Sequence, residues 1–390
     1  MRGTAVQFGA GNIGRGFLAQ LFHESGLEVV FVDIAPAIVE ALNTRGAYEI
    51  EIVGPGATRV PIDNVRAVSG RDMVQVAEEI AAAEIVCTAV GANVLPYIAP
   101  AIAAGLEARS NRHGAPINIL LCENLHDASR VLREAVAACL PEERRDALLA
   151  NAGFVHAVVS RMVPVQTEAD RTLDPLAVRV EAYKRLPVDA SAIVGEFPAI
   201  AGIEPVPDFE AHVERKLYTH NCAHAVLGYL GHAAGHEYGY QALRDPRIAA
   251  LLHAVLDETG QALIRKHGLD PEEHRAHVED LLVRFQNEGL GDTCRRLARD
   301  PIRKLAPDDR LIGSARLCES QEVVPRALAW AIVAALQYED AQDPAAVELQ
   351  RQLRDIGREA TLRRVCGIAP TENLALLIEE AVETVRYPGA

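Results

Sequence analysis

The chain lacks any apolar run long enough to cross a bilayer. Ala327–Leu336, bounded by Arg326 and Gln337, is among its longest and falls well short of the roughly 20 residues a membrane helix needs. It also lacks a surplus of positive charge. Its 39 Lys and Arg are outnumbered by 54 Asp and Glu, a net charge of -15, so no basic face for displacing counterions from nucleic acid is expected. Seven cysteines (87, 122, 139, 222, 294, 318 and 366) never fall at Cys-x-x-Cys spacing, which points to reduced thiols and a cytoplasmic protein. No repeat of fixed period is visible. No leader is expected, because the first residues enter a strand pattern at once.

What is present is ample apolar material, 49% of 390 residues, enough for about two to three domains. The first element, Thr4–Phe8, reads as a strand. It runs into Gly9-Ala10-Gly11-Asn12-Ile13-Gly14-Arg15-Gly16 and then a helix with Ile13, Phe17 and Leu21 at four-residue steps, closed by Gly26. A second strand, Glu28–Asp33, ends in an acid. This is the dinucleotide fingerprint in its full context. The glycines serve a tight turn, close approach of a pyrophosphate and close packing of helix on strand, and the helix N-terminus favours phosphate. Asp33 suits a ribose diol and would repel a 2′-phosphate, with no Arg in the following Ile34–Ala37. NAD is therefore expected rather than NADP. Gly9, Gly11, Asn12, Ile13, Gly14 and Asp33 are the expected contacts, joined by Thr88 and Val90 at a later strand end.

The next ~150 residues alternate as in a doubly wound α/β sheet. Strands are expected at Tyr48–Val53, Glu84–Gly91, Ile117–Cys122, Phe154–Val159 and Leu176–Tyr183, with helices at 72–83, 94–109 and 127–139. Ligands gather beyond the carboxyl ends of such strands, which singles out Thr88–Gly91 and Cys122-Glu123-Asn124. Prolines 187, 198, 205 and 207 with glycines 195 and 202 mark a shift in composition. The boundary is drawn there, giving a Rossmann-type domain over 1–195 and a mainly α-helical one over 196–390. Helices are expected at 208–233, 242–267, 271–288, 325–337, 344–358 and 370–386, the fourth with Pro325 in its first turn.

The run Glu214–Val226 contains no Gly or Pro and reads as one helix. At 100° per residue Lys216, His220 and His224 share a stripe, with Asn221 at its border. A lysine beside an amide can supply a base and an oxyanion donor for moving a proton on a carbinol. A metal reading competes through His220-x-Cys222-x-His224 and His232-x-x-x-His236. Cys222, however, points about 200° away from His220, and the second pair lies near glycines 231 and 235. No metal site is expected.

Phe8–Phe17 together with Lys216-x-x-x-x-Asn221-x-x-His224 resembles the polyol-specific long-chain dehydrogenases. Further matching stretches are Thr88–Gly91, Cys122–Asn124, Arg161–Pro164, Arg303–Leu305 and Asp309–Ile312, so the resemblance spans nearly the whole chain. It implies a metal-independent, NAD-dependent oxidoreductase. Lys216 would be general base or acid, Asn221 and Asn124 would donate to the reacting oxygen, and His224 would hold the hydroxyl. One departure is Ser160, where members of the family often carry an acid before the arginine.

The compact length leans towards the branch that uses phosphorylated sugars, interconverting D-mannitol 1-phosphate and D-fructose 6-phosphate. Arg303, Lys304 and Arg310 are the cationic candidates for the phosphate, with surface pairing to Asp308 and Asp309 as the plain alternative. An unphosphorylated polyol or uronate substrate stays open, as does a non-catalytic NAD(H)-sensing protein. No helical surface stripe calls for a partner, and a monomer is expected.

Overall fold

The computed structural model describes residues 3–112, 114–164 and 173–384. It divides into two compact units, Met1–His212 and Val213–Ala390. The first is α/β. Its strands are Thr4–Phe8 (β1), Glu28–Asp33 (β2), Ala47–Ile52 (β3), Thr58–Asp63 (β4), Val65–Ser69 (β5), Ile85–Thr88 (β6), Ile117–Leu121 (β7), Ala152–His156 (β8), Val178–Val180 (β9), Leu186–Asp189 (β10) and Ile203–Val206 (β11). Six of them form one sheet in the order β5-β2-β1-β6-β7-β8, every neighbour parallel. This is the doubly wound order of a Rossmann fold, with its switch point between β1 and β6.

Both faces of the sheet are covered, so its strands are mostly apolar. Ala5, Val29 and Phe31 pack with Phe17, Leu21, Phe22 and Leu42 in one core. Val6, Phe8, Val30 and Val32 pack with Val76, Ile80, Ile102 and Leu132 in the other. The expected helices appear as Met73–Ala82, Leu95–Arg112 and Ala128–Cys139. The Asp72 side chain caps the first of them, accepting the Gln75 N–H at 3.0 Å.

The expected strand at Tyr48–Val53 is β3, but it does not join this sheet. It lies between antiparallel β4 and parallel β9 in a separate three-stranded sheet. Its own alternation explains why: Tyr48 and Ile50 are buried while Glu49 and Glu51 are exposed, a one-sided pattern that a doubly covered sheet cannot take. The vacant place beside β2 goes to the short β5, which sequence analysis does not pick out. Helices Pro36–Arg45 and Glu142–Ala150 are further additions.

The first unit also extends past the expected boundary at 195. Parallel pairing of β10 with β11 holds residues 203–206 within it, and the Ala201 N–H donates to Ser25 Oγ at 2.9 Å. The proline-rich stretch is thus an ordered return and not a linker.

The second unit is helical. The expected helix 208–233 is not one α-helix: Phe209–Arg215 is followed by a π-helical turn, Lys216–Asn221, and then by Cys222–Ala233. The expected helix 242–267 is also two, Gly239–Arg244 and Pro246–His267, parted at Asp245, whose side chain accepts the Arg247 N–H at 3.0 Å. Pro271–Phe285, Arg326–Leu336, Pro344–Thr361 and Asn373–Thr384 follow. Pro325 is the N-cap and not a first-turn residue. The Glu258 carboxylate caps that helix from outside, accepting the N–H groups of Ala327 and Leu328 at 2.7 and 3.0 Å. Cys294–Ala298, Pro301–Lys304 and Ile312–Ser320 are short helices without a sequence forecast. Among the described residues, no helix is long and apolar enough to cross a membrane.

Candidate active site

At the end of β1 the chain turns at Gly9, whose φ of 87° favours glycine and whose N–H donates to the Val32 carbonyl at 2.9 Å. A Cβ on Gly14 would stand 2.0 Å from the Gly9 carbonyl oxygen, while a Cβ on Gly11 would meet nothing within 4 Å. The turn is therefore closed on itself and open outward at Gly11, which is the cradle a pyrophosphate requires. Gly14 thus lets the helix pack close on the end of β1, as expected, and Gly16 does the same on another strand, where a Cβ would come within 2.7 Å of Val178 in β9. The helix itself opens with a π-helical turn, Gly14–Leu18, before Ala19–Glu24.

Asp33 ends β2 and braces this turn. One carboxylate oxygen accepts the Ala10 N–H at 2.7 Å and the other the Ala35 N–H at 2.9 Å. Each keeps lone pairs that ribose hydroxyls could use. Asn12 donates to the Pro164 carbonyl at 3.4 Å, and Ile13 packs on the adjoining core. Two buried guanidiniums support the loop from within. Arg15 donates to the Ala10 carbonyl. Arg161 donates to the Glu181 and Gly16 carbonyls at 2.8 and 3.1 Å and to Gln20 at 2.7 Å. Burial lowers the pKa of both, that of Arg161 to about 10. These partners supply the fastening of Arg161 without an acid at position 160.

The ends of β6 and β7 lie on the other side of the switch point. Thr88 is fully buried, and its hydroxyl donates to the Glu123 carboxylate at 2.7 Å; the other Glu123 oxygen accepts the Val90 N–H at 3.1 Å. Asn124, the next residue, is exposed. From the sequence, Thr88, Val90 and Asn124 are given roles, whereas Glu123 is named only as part of the strand end Cys122-Glu123-Asn124. The signal was a lone carboxylate two residues past a strand of five buried residues.

In the second unit the π-helical turn reshapes the expected stripe. The Cys222 N–H reaches back five residues to the Leu217 carbonyl. Such a turn draws residues five apart, here Lys216 and Asn221, towards a common side, whereas an α-helix would separate them by about 140°. Lys216 and Asn221 are half-buried. His220 and His224 meet edge to face with ring centroids 4.7 Å apart, and His224 stacks on Phe285 at 4.2 Å. Both imidazoles are held neutral. Burial lowers the pKa of His220 well below its usual value, with help from His224, Arg284 and Lys216. Burial does the same for His224, aided by Arg296, Arg310, Arg284 and Lys304.

The three basic candidates are not equivalent. Arg303 is half-exposed and spans Asp300 and Asp309 at 2.8 and 3.5 Å. Arg310 is buried against Asp309 at 2.7 Å. Lys304 is 4% exposed, and its ammonium donates to the Arg299 carbonyl. Burial, then Arg310 and Arg303, lowers its pKa to about 7. The expected pairing partner Asp308 is thus replaced by Asp300.

The side chains of the metal reading are turned to other partners. Cys222 is fully buried, its thiol pushed up to about 12 by burial, with Ser314 as its hydrogen-bond partner. His236 turns to Asp245 at 3.4 Å, while His232 faces the Tyr338 ring at 4.9 Å. Among the described residues no group of three or more His, Cys, Asp or Glu is disposed to hold a metal ion.

A doubly wound unit with an open glycine cradle and a ribose-ready acid, followed by a helical unit bearing a lysine, an amide and neutral imidazoles, defines a dinucleotide-dependent dehydrogenase. The comparisons narrow this class. The mannitol dehydrogenase Rossmann domain matches residues 3–202, and the mannitol dehydrogenase C-terminal domain matches residues 208–379. A Brevibacillus brevis protein named mannitol-1-phosphate 5-dehydrogenase is 41% identical over 98% of this chain and 98% of its own. Its namesake from Bacillus subtilis is 37% identical over 96% of this chain and 98% of its own. Among solved structures, a substrate-free D-sorbitol dehydrogenase superposes with a TM-score of 0.82 at 16% identity, covering 98% of this chain and 92% of that one. Pseudomonas fluorescens mannitol 2-dehydrogenase with NAD and D-mannitol gives 0.71 at 16% identity, covering 98% and 95%. These last two are likenesses of fold. The chain belongs to the mannitol dehydrogenase family and is an NAD-dependent oxidoreductase of the polyol dehydrogenase type.

Proposed function

We propose that the enzyme interconverts D-mannitol 1-phosphate and D-fructose 6-phosphate, with Lys216 as general base in oxidation and general acid in reduction. Bound NAD supplies the hydride acceptor at its nicotinamide ring. The protein's part is to move the proton and hold the oxygen. Hydride leaves a carbinol carbon readily only as the oxygen gives up its proton, and Lys216 is the residue assigned to take it. Asn221 and Asn124 are the proposed donors to the oxygen as its charge grows. His224, neutral at physiological pH, can donate to or accept from the reacting hydroxyl. No metal is needed in this reading, and a chelator should leave the rate unchanged.

The observation that carries the phosphate assignment is the field around His224. Arg296, Arg310, Arg284 and Lys304 all act on it, an unusual gathering of cations in a chain of net charge -15. A dianionic substrate is what such a site would favour. The relatives named for mannitol 1-phosphate support the same substrate. Arg310 and Lys304 are the stronger candidates; Arg303 already answers two carboxylates.

That pairing also favours a second reading, a free polyol or uronate, since Asp300 and Asp309 neutralise part of the cluster. The deciding measurement is NADH oxidation with fructose 6-phosphate beside free fructose. Preference for the phosphate by about 100-fold or more in kcat/KM is expected, the scale of one or two charge-assisted contacts. Equal rates on the two ketoses would remove the phosphate from the assignment.

A further inference from the structure

The carboxylate of Glu123 is 5% exposed at the carboxyl ends of β6 and β7. A carboxylate in such a place needs donors around it. Here they come from a neighbouring strand end: the Thr88 hydroxyl at 2.7 Å and the Val90 N–H at 3.1 Å, with the Gly91 N–H also contributing. Gly91 has φ of 92°, so the loop bends at the point where its N–H groups turn in to the carboxylate. The same loop touches the glycine turn. The Ala89 N–H donates to the Phe8 carbonyl at 2.9 Å, and the Ala89 carbonyl oxygen lies only 2.6 Å from where a Gly9 Cβ would be. One buried side chain just past β7 therefore sets the course of the loop after β6, and that loop abuts the turn that receives the pyrophosphate.

We propose that Glu123 is a positioning residue for the dinucleotide: it fixes Thr88–Gly91 against the glycine turn so that both strand ends form one preset binding surface. The inference rests on reading Thr88 and Val90 as cofactor contacts. Without an acceptor at 123, the half-buried Val90 N–H would lose its partner, and the loop would have to turn it to water. An amide can stand in for the carboxylate. Its oxygen would accept from Val90, and its NH2 would donate to the Thr88 hydroxyl, which can turn to the Leu120 carbonyl 3.5 Å away.

The test is fluorescence titration of the full-length enzyme with NADH, beside kcat at saturating NADH. E123A should raise the Kd for NADH by about tenfold or more, with kcat changed by no more than about threefold, and E123Q should restore most of the affinity. A merely structural residue would lower the melting temperature and leave the Kd untouched well below it. E123A with wild-type Kd, or with kcat lost and Kd kept, overturns the proposal. Should E123A not fold, T88V removes one of the same hydrogen bonds. It should raise the Kd by about threefold or more, and an unchanged value would overturn the proposal equally. Failure of the wild-type protein to bind NADH would instead strike the cofactor reading of the first unit and leave the loop geometry intact.

Discussion

The two units hold their polar groups in different ways. Around the glycine turn every ionisable group named above is tied down: Asp33 by Ala10 and Ala35, Glu123 by Thr88 and Val90, Arg161 by Gln20 and two carbonyls. What is left open is backbone, at Gly11. Around His220 and His224 the ionisable groups bear on one another. His220 and His224 are packed against each other and Phe285, and Lys304 stands beside Arg310 and Arg303, which oppose its charge. A site that only binds a constant ligand is best built from satisfied groups and fixed N–H donors. A site that moves a proton needs groups whose charged and neutral forms lie close in free energy.

Two substitutions should separate these roles cleanly. K216A is expected to have the largest effect, lowering kcat by about 10²–10⁴-fold, the usual worth of a positioned acid–base group. NADH affinity should stay within about threefold, because the lysine belongs to the second unit. G14A should do the converse. Its Cβ would fall 2.0 Å from the Gly9 carbonyl oxygen, so the turn must open, at a cost of about 1–3 kcal/mol. The Kd for NADH should rise about 10–100-fold on that scale, while the helical unit keeps its own structure. If K216A abolished NADH binding, or G14A left it alone, the division of labour between the units would fail.

The same contrast explains what could be read from the sequence. Gly9, Gly11 and Gly14 were legible because backbone sites demand a residue type at fixed spacing, and Asp33 followed as the strand's last residue. Lys216, His220 and His224 were legible through their i, i+4 steps. The π-helical turn between them was not, since no Gly or Pro marks it and the extra residue per turn is a matter of backbone bonding. Tyr48–Ile52 carried its correct placement in plain view: buried Tyr48 and Ile50 between exposed Glu49 and Glu51 mean one dry face, and the main sheet has two. Glu123 and Arg161 were named within their stretches but given no role of their own, because a lone charge in a sequence looks like surface. Only the fold reveals which loop it fastens.

The last expected effect concerns Lys304, and it sharpens the comparison from the stability side. An amine with a folded-state pKa of about 7 and an unfolded value near about 10.4 destabilises the fold while it is charged in both states, below pH 7. As pH rises from there, the folded amine loses its proton while the unfolded one keeps it. The unfolded state then binds more protons, so stability climbs with pH up to about 10.4, where both states are neutral and the gain ends. Other groups move the opposite way in this range: Cys222 and Cys366 are both held at about 12 by burial, and their unfolded forms ionise earlier. The wild-type curve alone therefore does not isolate the lysine, but its difference from K304M does. Urea midpoints measured from pH 6.5 to 9.5 should show K304M gaining most over wild type at the acid end, with the advantage shrinking steadily as pH rises. A difference that stayed flat with pH would mean that Lys304 is fully charged in the folded protein, and the cluster around His224 would then be a permanently cationic site and not a poised one.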